Sequence, residues 1–363
     1  MKMIKWPSIE QYRNVVKNIT HRARYRGTDA DGNAIYEPFA KLPTLKFEGT
    51  VKLHGTNAAI ARKVLEPQEM WCQSRENIIT PEKDNAGFAM FVKGHEDEFR
   101  DLIATAIGIH DRSHEFPYIL VFGEWCGKGI QGGVAISDLP KMFVIFGIAL
   151  ADEEGNKHYF TRQEVTDVVD GGREYVLRAT GTVPTETGIY CIWDFPTYGC
   201  EIDFDAPHEK QNFLNDRTAE VEAECPVGKA FGVTGVGEGI VWRCIEPGWE
   251  DSGYWFKVKG EAHSKSKVKT LATVDVERIN NINELAEKLA NDGRLEQMCQ
   301  QVFDTLNGGE PDIKRTGEFI KAVMQDIFKE EMDTVAASGF TGKELNGPVS
   351  KRARDFLMTK LEV

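Results

Sequence analysis

No apolar run in this 363-residue chain is long enough to cross a bilayer; Phe143 to Leu150 falls far short. The opening residues Met1 to Glu10 carry lysines but no apolar segment, so no secretory signal is expected. Cysteine is sparse: Cys72, Cys126, Cys191, Cys200, Cys225, Cys244 and Cys299 are odd in number and include no Cys-x-x-Cys pair. Such scatter excludes a disulfide frame or a thiolate zinc site as the organising device, and suits reduced thiols in a cytosol. Repeats and low-complexity segments are absent. Excess positive charge is lacking too. The net charge of −13 argues against wholesale, non-specific binding of nucleic acid. Local basic grooves stay open: Arg22, Arg24 and Arg26 with Lys41 and Lys46 form one stretch, and Lys257, Lys259, Lys265, Lys267 and Lys269 another. Taken alone, each reads as a solvated surface.

What is present fits a globular chain long enough for two domains, 41% apolar and 28% charged. Up to about residue 260 short runs rich in β-branched and aromatic residues predict strands: Leu45–Leu53, Ala58–Val64, Tyr118–Glu124, Met142–Leu150, Gly239–Ile245 and Tyr254–Lys259. Gly87–Gly108 reads as a helical insertion, and Thr161–Val169 as a short helix capped by Thr161. Asp29–Asn33 is a turn and Gly232–Gly239 a glycine-rich loop. Beyond Lys265 the apolar period becomes helical. Val276, Ile279, Ile282, Leu285 and Leu289 mark one helix, and Leu295, Met298, Val302 and Leu306 a second. Phe319, Val323 and Ile327 mark a third, and Phe356, Leu357 and Leu361, after Pro348, a fourth. The expectation is an α+β chain with domains 1–262 and 263–363, the second all-helical.

Lys52 sits in Glu48-Gly49-Thr50-Val51-Lys52-Leu53-His54-Gly55-Thr56-Asn57, where a probable strand meets a tight turn, so its amine can face a pocket. Lys257 and Lys259 alternate on another strand and so share a face. Three converging lysines would suit a polyphosphate, with one of them as nucleophile. Arg75 in Gln73-Ser74-Arg75-Glu76 follows, then Glu124 in Phe122-Gly123-Glu124-Trp125, Phe146 in Phe143-Val144-Ile145-Phe146, and Glu238 in Glu238-Gly239-Ile240-Val241.

In this order and spacing the six segments resemble the motifs of the covalent nucleotidyltransferases, the polynucleotide ligases and messenger-RNA capping enzymes. His-Gly-Thr-Asn after the lysine, and a helical rather than β tail, look most like the RNA ligase 2 family. The resemblance implies a nucleotidyltransferase (ligase adenylation) domain of two antiparallel β-sheets around an ATP cleft, followed by an all-helical domain. It implies an ATP-dependent RNA ligase, with Mg2+ or Mn2+, joining 3′-hydroxyl and 5′-phosphate ends of nicked or duplex RNA through lysyl-AMP, as in RNA repair. Lys52 would be adenylated and Glu124 would accept from the ribose hydroxyls. Phe146 would stack on adenine, and Glu238 would help hold the metal. Asn57, Arg75 and His54 would engage phosphate or RNA ends, and Lys257 and Lys259 would clamp the α-phosphate. Val51 stands where such members often carry an acid, and Gly147 where Asp is expected.

The chemistry sets its own demand. A free lysine, with pKa near ~10.4, is a poor nucleophile at neutral pH, and lowering it about three units costs ~4 kcal/mol. Neighbouring cations at 257 and 259, together with a metal, are the expected means. The rivals are a DNA ligase or capping guanylyltransferase, which usually carry a β-barrel after the Lys-x-Lys strand, and a non-catalytic protein that only binds RNA ends or nucleotide. Other motifs are weaker. The glycines at 232–239 precede a strand instead of a helix, which excludes a Rossmann loop, and His110 and His114 lack an obvious third metal ligand. A monomer without membrane attachment is expected.

Overall fold

A computed structural model of the chain describes residues 1–84, 86–110, 112, 114–171, 188–260, 282–305, 308–338 and 340–361. In chain order these form β1 (Glu10–Gln11), α1 (Tyr12–Arg24), β2 (Tyr25–Thr28), β3 (Ala34–Tyr36), β4 (Thr44–Lys52), β5 (Thr56–Lys63), β6 (Met70–Ser74) and β7 (Ile78–Ile79). Next come α2 (Phe88–Gly94), α3 (Glu96–Ile109), β8 (Tyr118–Cys126), β9 (Met142–Ala151), β10 (Lys157–Tyr159), α4 (Arg162–Gly171), β11 (Ile189–Cys191) and β12 (Thr197–Asp203). The remainder is α5 (Gln211–Ala223), α6 (Pro226–Ala230), β13 (Gly239–Cys244), β14 (Phe256–Lys259), α7 (Ile282–Leu289), α8 (Asp292–Phe303), α9 (Thr316–Ala337) and α10 (Gly342–Leu361). The chain divides into two compact units. One comprises Met1–Ser8, Gly49–Tyr198 and Ala223–Gly237; the other comprises Ile9–Glu48, Gly199–Glu222 and Glu238–Val363. The expected boundary at 262, Lys265, Lys267, Lys269, Val276, Ile279 and Leu306 all lie outside the described residues.

The first unit is built on a seven-stranded sheet of order β10-β9-β8-β5-β6-β7, with β11 also paired to β9. Its central strands are nearly continuous apolar runs because both faces are covered. On one face Phe88 and Phe99 meet Phe143 at 4.8 and 6.0 Å between ring centroids, and Phe88 and Phe91 meet Trp125, so α2 and α3 shield it. The other face gathers Ala59, Ala61, Leu120, Phe122, Ala149 and Ala151 with Ile4 and Trp71. Segment Met1–Ser8 is tied beside β6: the Trp71 indole donates to the Lys2 carbonyl at 3.1 Å, and the buried Gln73 amide bonds both the N–H and the carbonyl of Ile4. The short helix after Thr161 has its capping box, with the Glu164 N–H donating to Thr161 Oγ1 and the Thr161 N–H donating to the Glu164 carboxylate.

The second unit holds the β2–β3 hairpin and most of a five-stranded sheet, β1-β14-β13-β4-β12, in which Gly49–Lys52 of β4 and Thr197–Tyr198 of β12 are counted with the first unit. Helix α1 buries Tyr12, Val15 and Ile19, an i, i+3, i+7 stripe in a region whose runs suggest mainly strands. Helices α7–α10 close around Leu285, Leu289, Leu295, Met298, Phe319, Val323, Ile327, Leu345, Val349 and Leu357, so the helical reading of the tail holds. Helix α10 begins at Gly342 instead of after Pro348, because Thr341 and Glu344 form a capping box. Among the described residues no helix is long and apolar enough to cross a membrane.

Candidate active site

In the first unit the sheet register assembles one row. Asn57 on β5 lies directly across from Glu124 on β8, so the two side chains leave the same face. The β5–β6 ladder ends at Ala58–Ser74, and one step further along it Arg75 stands at the level of Asn57. Arg75 is exposed there, near Glu76 (3.9 Å) and the Ser8 hydroxyl (3.5 Å).

Lys52 ends β4, half-buried, with Nζ 3.5 Å from the Leu53 carbonyl. The turn after it is held by Gly55. A Cβ at that position would lie 2.4 Å from the Trp125 carbonyl oxygen, 2.8 Å from Cys126 Cβ and 3.0 Å from Glu124 Cγ. Only a residue without a side chain lets the Lys52–His54 turn lie against the end of the strand that carries Glu124. Burial, and then the Glu124 carboxylate, push the neighbouring Cys126 thiol well above its ordinary range, which keeps it protonated and unreactive.

Phe146 reaches this face through an irregularity. Counting back by twos from Ala151 and Ala149 aims Phe146 at the helices. The β8–β9 register, however, shifts between Phe122–Gly147 and Gly123–Ile145, leaving Phe146 as the extra residue. The bulge turns it toward the Glu124 side, where it meets Trp6 edge-on at 5.2 Å. Gly147, standing where Asp was expected, now has a reason: a Cβ there would fall 2.3 Å from the Trp6 ring. Trp6 fills that space, flanked also by Phe122 and Tyr159.

The second unit holds the other three site residues. Lys257 and Lys259 alternate with buried Phe256 and Val258 and share one face of β14. Each meets a carboxylate: Lys259 lies 3.0 Å from the buried Glu238, and Lys257 lies 2.9 Å from Glu330 on α9. Burial works against the charge on Lys259. Glu238, Glu330 and Asp326 outweigh it and hold its pKa above the ordinary value. The expected cationic pair is thus offset by acids in this structure. Glu238 is a single carboxylate, and no cluster of three or more His, Cys, Asp or Glu able to hold a metal occurs among the described residues. His110 pairs with Glu164 at 2.9 Å, whereas His114 is exposed and near Glu115, so the two histidines do not form a centre.

A family model described as RNA ligase matches residues 45–259, more than half of the chain. The chain belongs to the RNA ligase family. The match opens on β4, which carries Lys52, and closes on Lys259. No curated protein matches at a significant level. Among solved structures, a Naegleria gruberi RNA ligase mutant with AMP and manganese is 17% identical, with a TM-score of 0.41 over 72% of this chain and 57% of that one. Another mutant of it, with ATP and manganese, gives 16%, 0.42, 72% and 57%, and the ligase with pyrophosphate gives 16%, 0.41, 72% and 59%. This chain spans less than two thirds of the length of those ligases.

Two groups of residues were not anticipated from the sequence. Trp6 had no motif to mark it. Asp326 and Glu330, at i and i+4, form an acidic edge of α9 that helical spacing could have flagged. Next to them the buried Arg294 guanidinium lies 2.9 Å from Asp326 and 3.6 Å from Glu331, where α9 leaves helical angles (φ −129°, ψ 17°).

Proposed function

We propose that this chain is an ATP-dependent RNA ligase acting through a lysyl-AMP intermediate on Lys52. The observation that carries the reading is the RNA ligase family match from the strand of Lys52 to Lys259. The geometry of the first unit supports it, since Gly55 seats the lysine turn against the strand end bearing Glu124. The Lys52 amine attacks the α-phosphorus of ATP, a P–N bond forms, the bond to pyrophosphate breaks, and the amine loses its proton. AMP then passes to an RNA 5′-phosphate, and a 3′-hydroxyl displaces it to leave a phosphodiester. Glu124 accepts from the ribose hydroxyls and Phe146 stacks on adenine. Asn57, His54 and Arg75 engage phosphates or RNA ends, while Lys257 and Lys259 neutralise charge at the α-phosphate.

A divalent ion, Mg2+ or Mn2+, would supply neutralisation of the phosphate oxygens. Glu238 suits one that arrives with ATP, because such ions take one or two carboxylates plus substrate phosphates. In this structure it faces Lys259 at 3.0 Å. Substrates are RNAs with 3′-hydroxyl and 5′-phosphate ends, nicked or duplex, and the protein works as a monomer. Seven free cysteines agree with a reducing, cytosolic compartment of a cell or an infected host.

Intact mass spectrometry after incubation with ATP and magnesium tests the reading. One added AMP is expected, absent in Lys52→Ala and absent with chelator. An unmodified wild type, or a modified Lys52→Ala, refutes it. Sealing of nicked RNA but not nicked DNA separates it from a DNA ligase, and labelling by ATP in preference to GTP from a capping enzyme.

A further inference from the structure

We propose that the β2–β3 hairpin and the turn after it form a stacking platform for an unpaired stretch of RNA; this rests on the RNA ligase reading above. Among the described residues, the exposed large aromatic side chains are Tyr25 (42%), Tyr36 (42%) and Phe39 (98%), all within fifteen residues of one another. The remaining described Phe, Tyr and Trp rings are buried or half-buried. Exposed aromatic rings so close in the chain, beyond what their own contacts need, mark a candidate binding surface.

The platform is built and held. Asp29 accepts from the N–H groups of Asp31 (3.0 Å) and Asn33 (2.8 Å), and its second oxygen takes the Asn33 side chain. Those bonds lower the Asp29 pKa and lock the tip of the hairpin. Arg26 bridges from the Ala23 carbonyl to Glu37, tying the hairpin to the end of α1. Tyr25 and Tyr36 stand opposite each other on the two strands, with ring centroids 5.8 Å apart, and His21 meets both. The tyrosine hydroxyls are used locally, with Thr28 and His21, so what each ring offers a partner is the exposed part of its surface. Phe39 sits in a turn closed from the Ala40 N–H to the Glu37 carbonyl.

Charge selects the partner. Residues 12–47 hold seven Lys and Arg against three Asp and Glu, a net +4 in a chain whose total is −13. Arg22, exposed at the end of α1, lies 4.0 Å over the Trp249 ring and donates to the Tyr254 hydroxyl, with further N–H groups for a phosphate. Rings beside a guanidinium suit a polyanion whose bases are free to stack. A fully paired duplex keeps its bases inside, so the partner is an unpaired segment flanking the ends to be joined.

The test measures anisotropy of two labelled RNAs of equal length, one single-stranded with a 5′-phosphate and one a fully paired nicked duplex. The variants are Phe39→Ala and the double variant Tyr25→Leu/Tyr36→Leu, which keeps apolar bulk at the hairpin. Loss of about tenfold in single-strand affinity is expected in each, with duplex binding, self-adenylation and thermal midpoint unchanged. Unchanged single-strand affinity in both variants overturns the proposal. So does an equal loss on the paired RNA, or a wild-type dimer by light scattering that the variants dissociate, which would assign the rings to a second copy. Failure of the wild type to adenylate would instead strike the ligase reading, while the single-strand comparison would still decide the platform.

Discussion

Replacing Gly55 by alanine tests how the site is positioned, with little change in chemistry. The added methyl carbon would begin 2.4 Å from the Trp125 carbonyl oxygen, against 3.4–4 Å for ordinary contact, so a shift of about 1 Å is required. The strand is the stiffer partner. Trp125 is 1% exposed and wedged between Phe88 and Phe91, while its neighbour Glu124 is paired to both β5 and β9. The turn carrying Lys52 and His54 must therefore move. Overpacking of this kind costs about 1–3 kcal/mol, a drop of a few degrees in thermal midpoint. A displacement of ~1 Å at a reacting group can cost about a hundredfold in rate. Single-turnover adenylation with labelled ATP should therefore fall about a hundredfold in Gly55→Ala while the fold survives. Gly94→Ala, where the new methyl meets nothing within 4 Å, should leave the rate unchanged. An adenylation rate in Gly55→Ala within about threefold of wild type would refute the claim that this close approach sets the lysine.

Three further outcomes follow from the same structure. Gly147→Ala should lower stability by about 1–3 kcal/mol, since its methyl would strike the Trp6 ring; Trp6→Ala in the same chain should restore part of it, and denaturant melts that show no rescue would exclude that clash as the cause. Arg294→Met strands Asp326 and Glu331, the latter 1% exposed, and should cost about 3–5 kcal/mol in a thermal melt; a loss below ~1 kcal/mol would show that the pair is not held dry. The Lys259 pKa is raised in the folded chain, so the stability it contributes is fully present below the ordinary lysine value of 10.5 and is lost as pH rises through the higher folded value. Melts from pH 8 to 11.5 should show that loss in wild type and a shallower one in Lys259→Met, and parallel profiles would contradict it.

Much of the candidate site could be proposed from the chain because its chemistry is written in short segments. The Lys52 turn, the alternation of Lys257 and Lys259 and the helical period after residue 282 all depend on neighbours a few positions apart, and the structure shows each element. Helix α1 and the start of α10 do carry local signals, the Tyr12–Val15–Ile19 spacing and the Thr341–Glu344 box. The stretch from Ala151 to Phe231 gave no motif, and part of it, 172–187, lies outside the described residues.

Sequence alone determined the local periods, the strand and helix classes, and the candidate residues for a nucleotide site, since these are set by bonds and alternation within a few residues. Only the tertiary structure decided that Phe146 turns toward Glu124, that Gly147 is a seat for Trp6, and that carboxylates at 238 and 330 answer the two lysines of β14. A one-residue bulge reverses the facing of a side chain without any change in composition, and an ion pair between residues 73 positions apart leaves no mark on either local pattern.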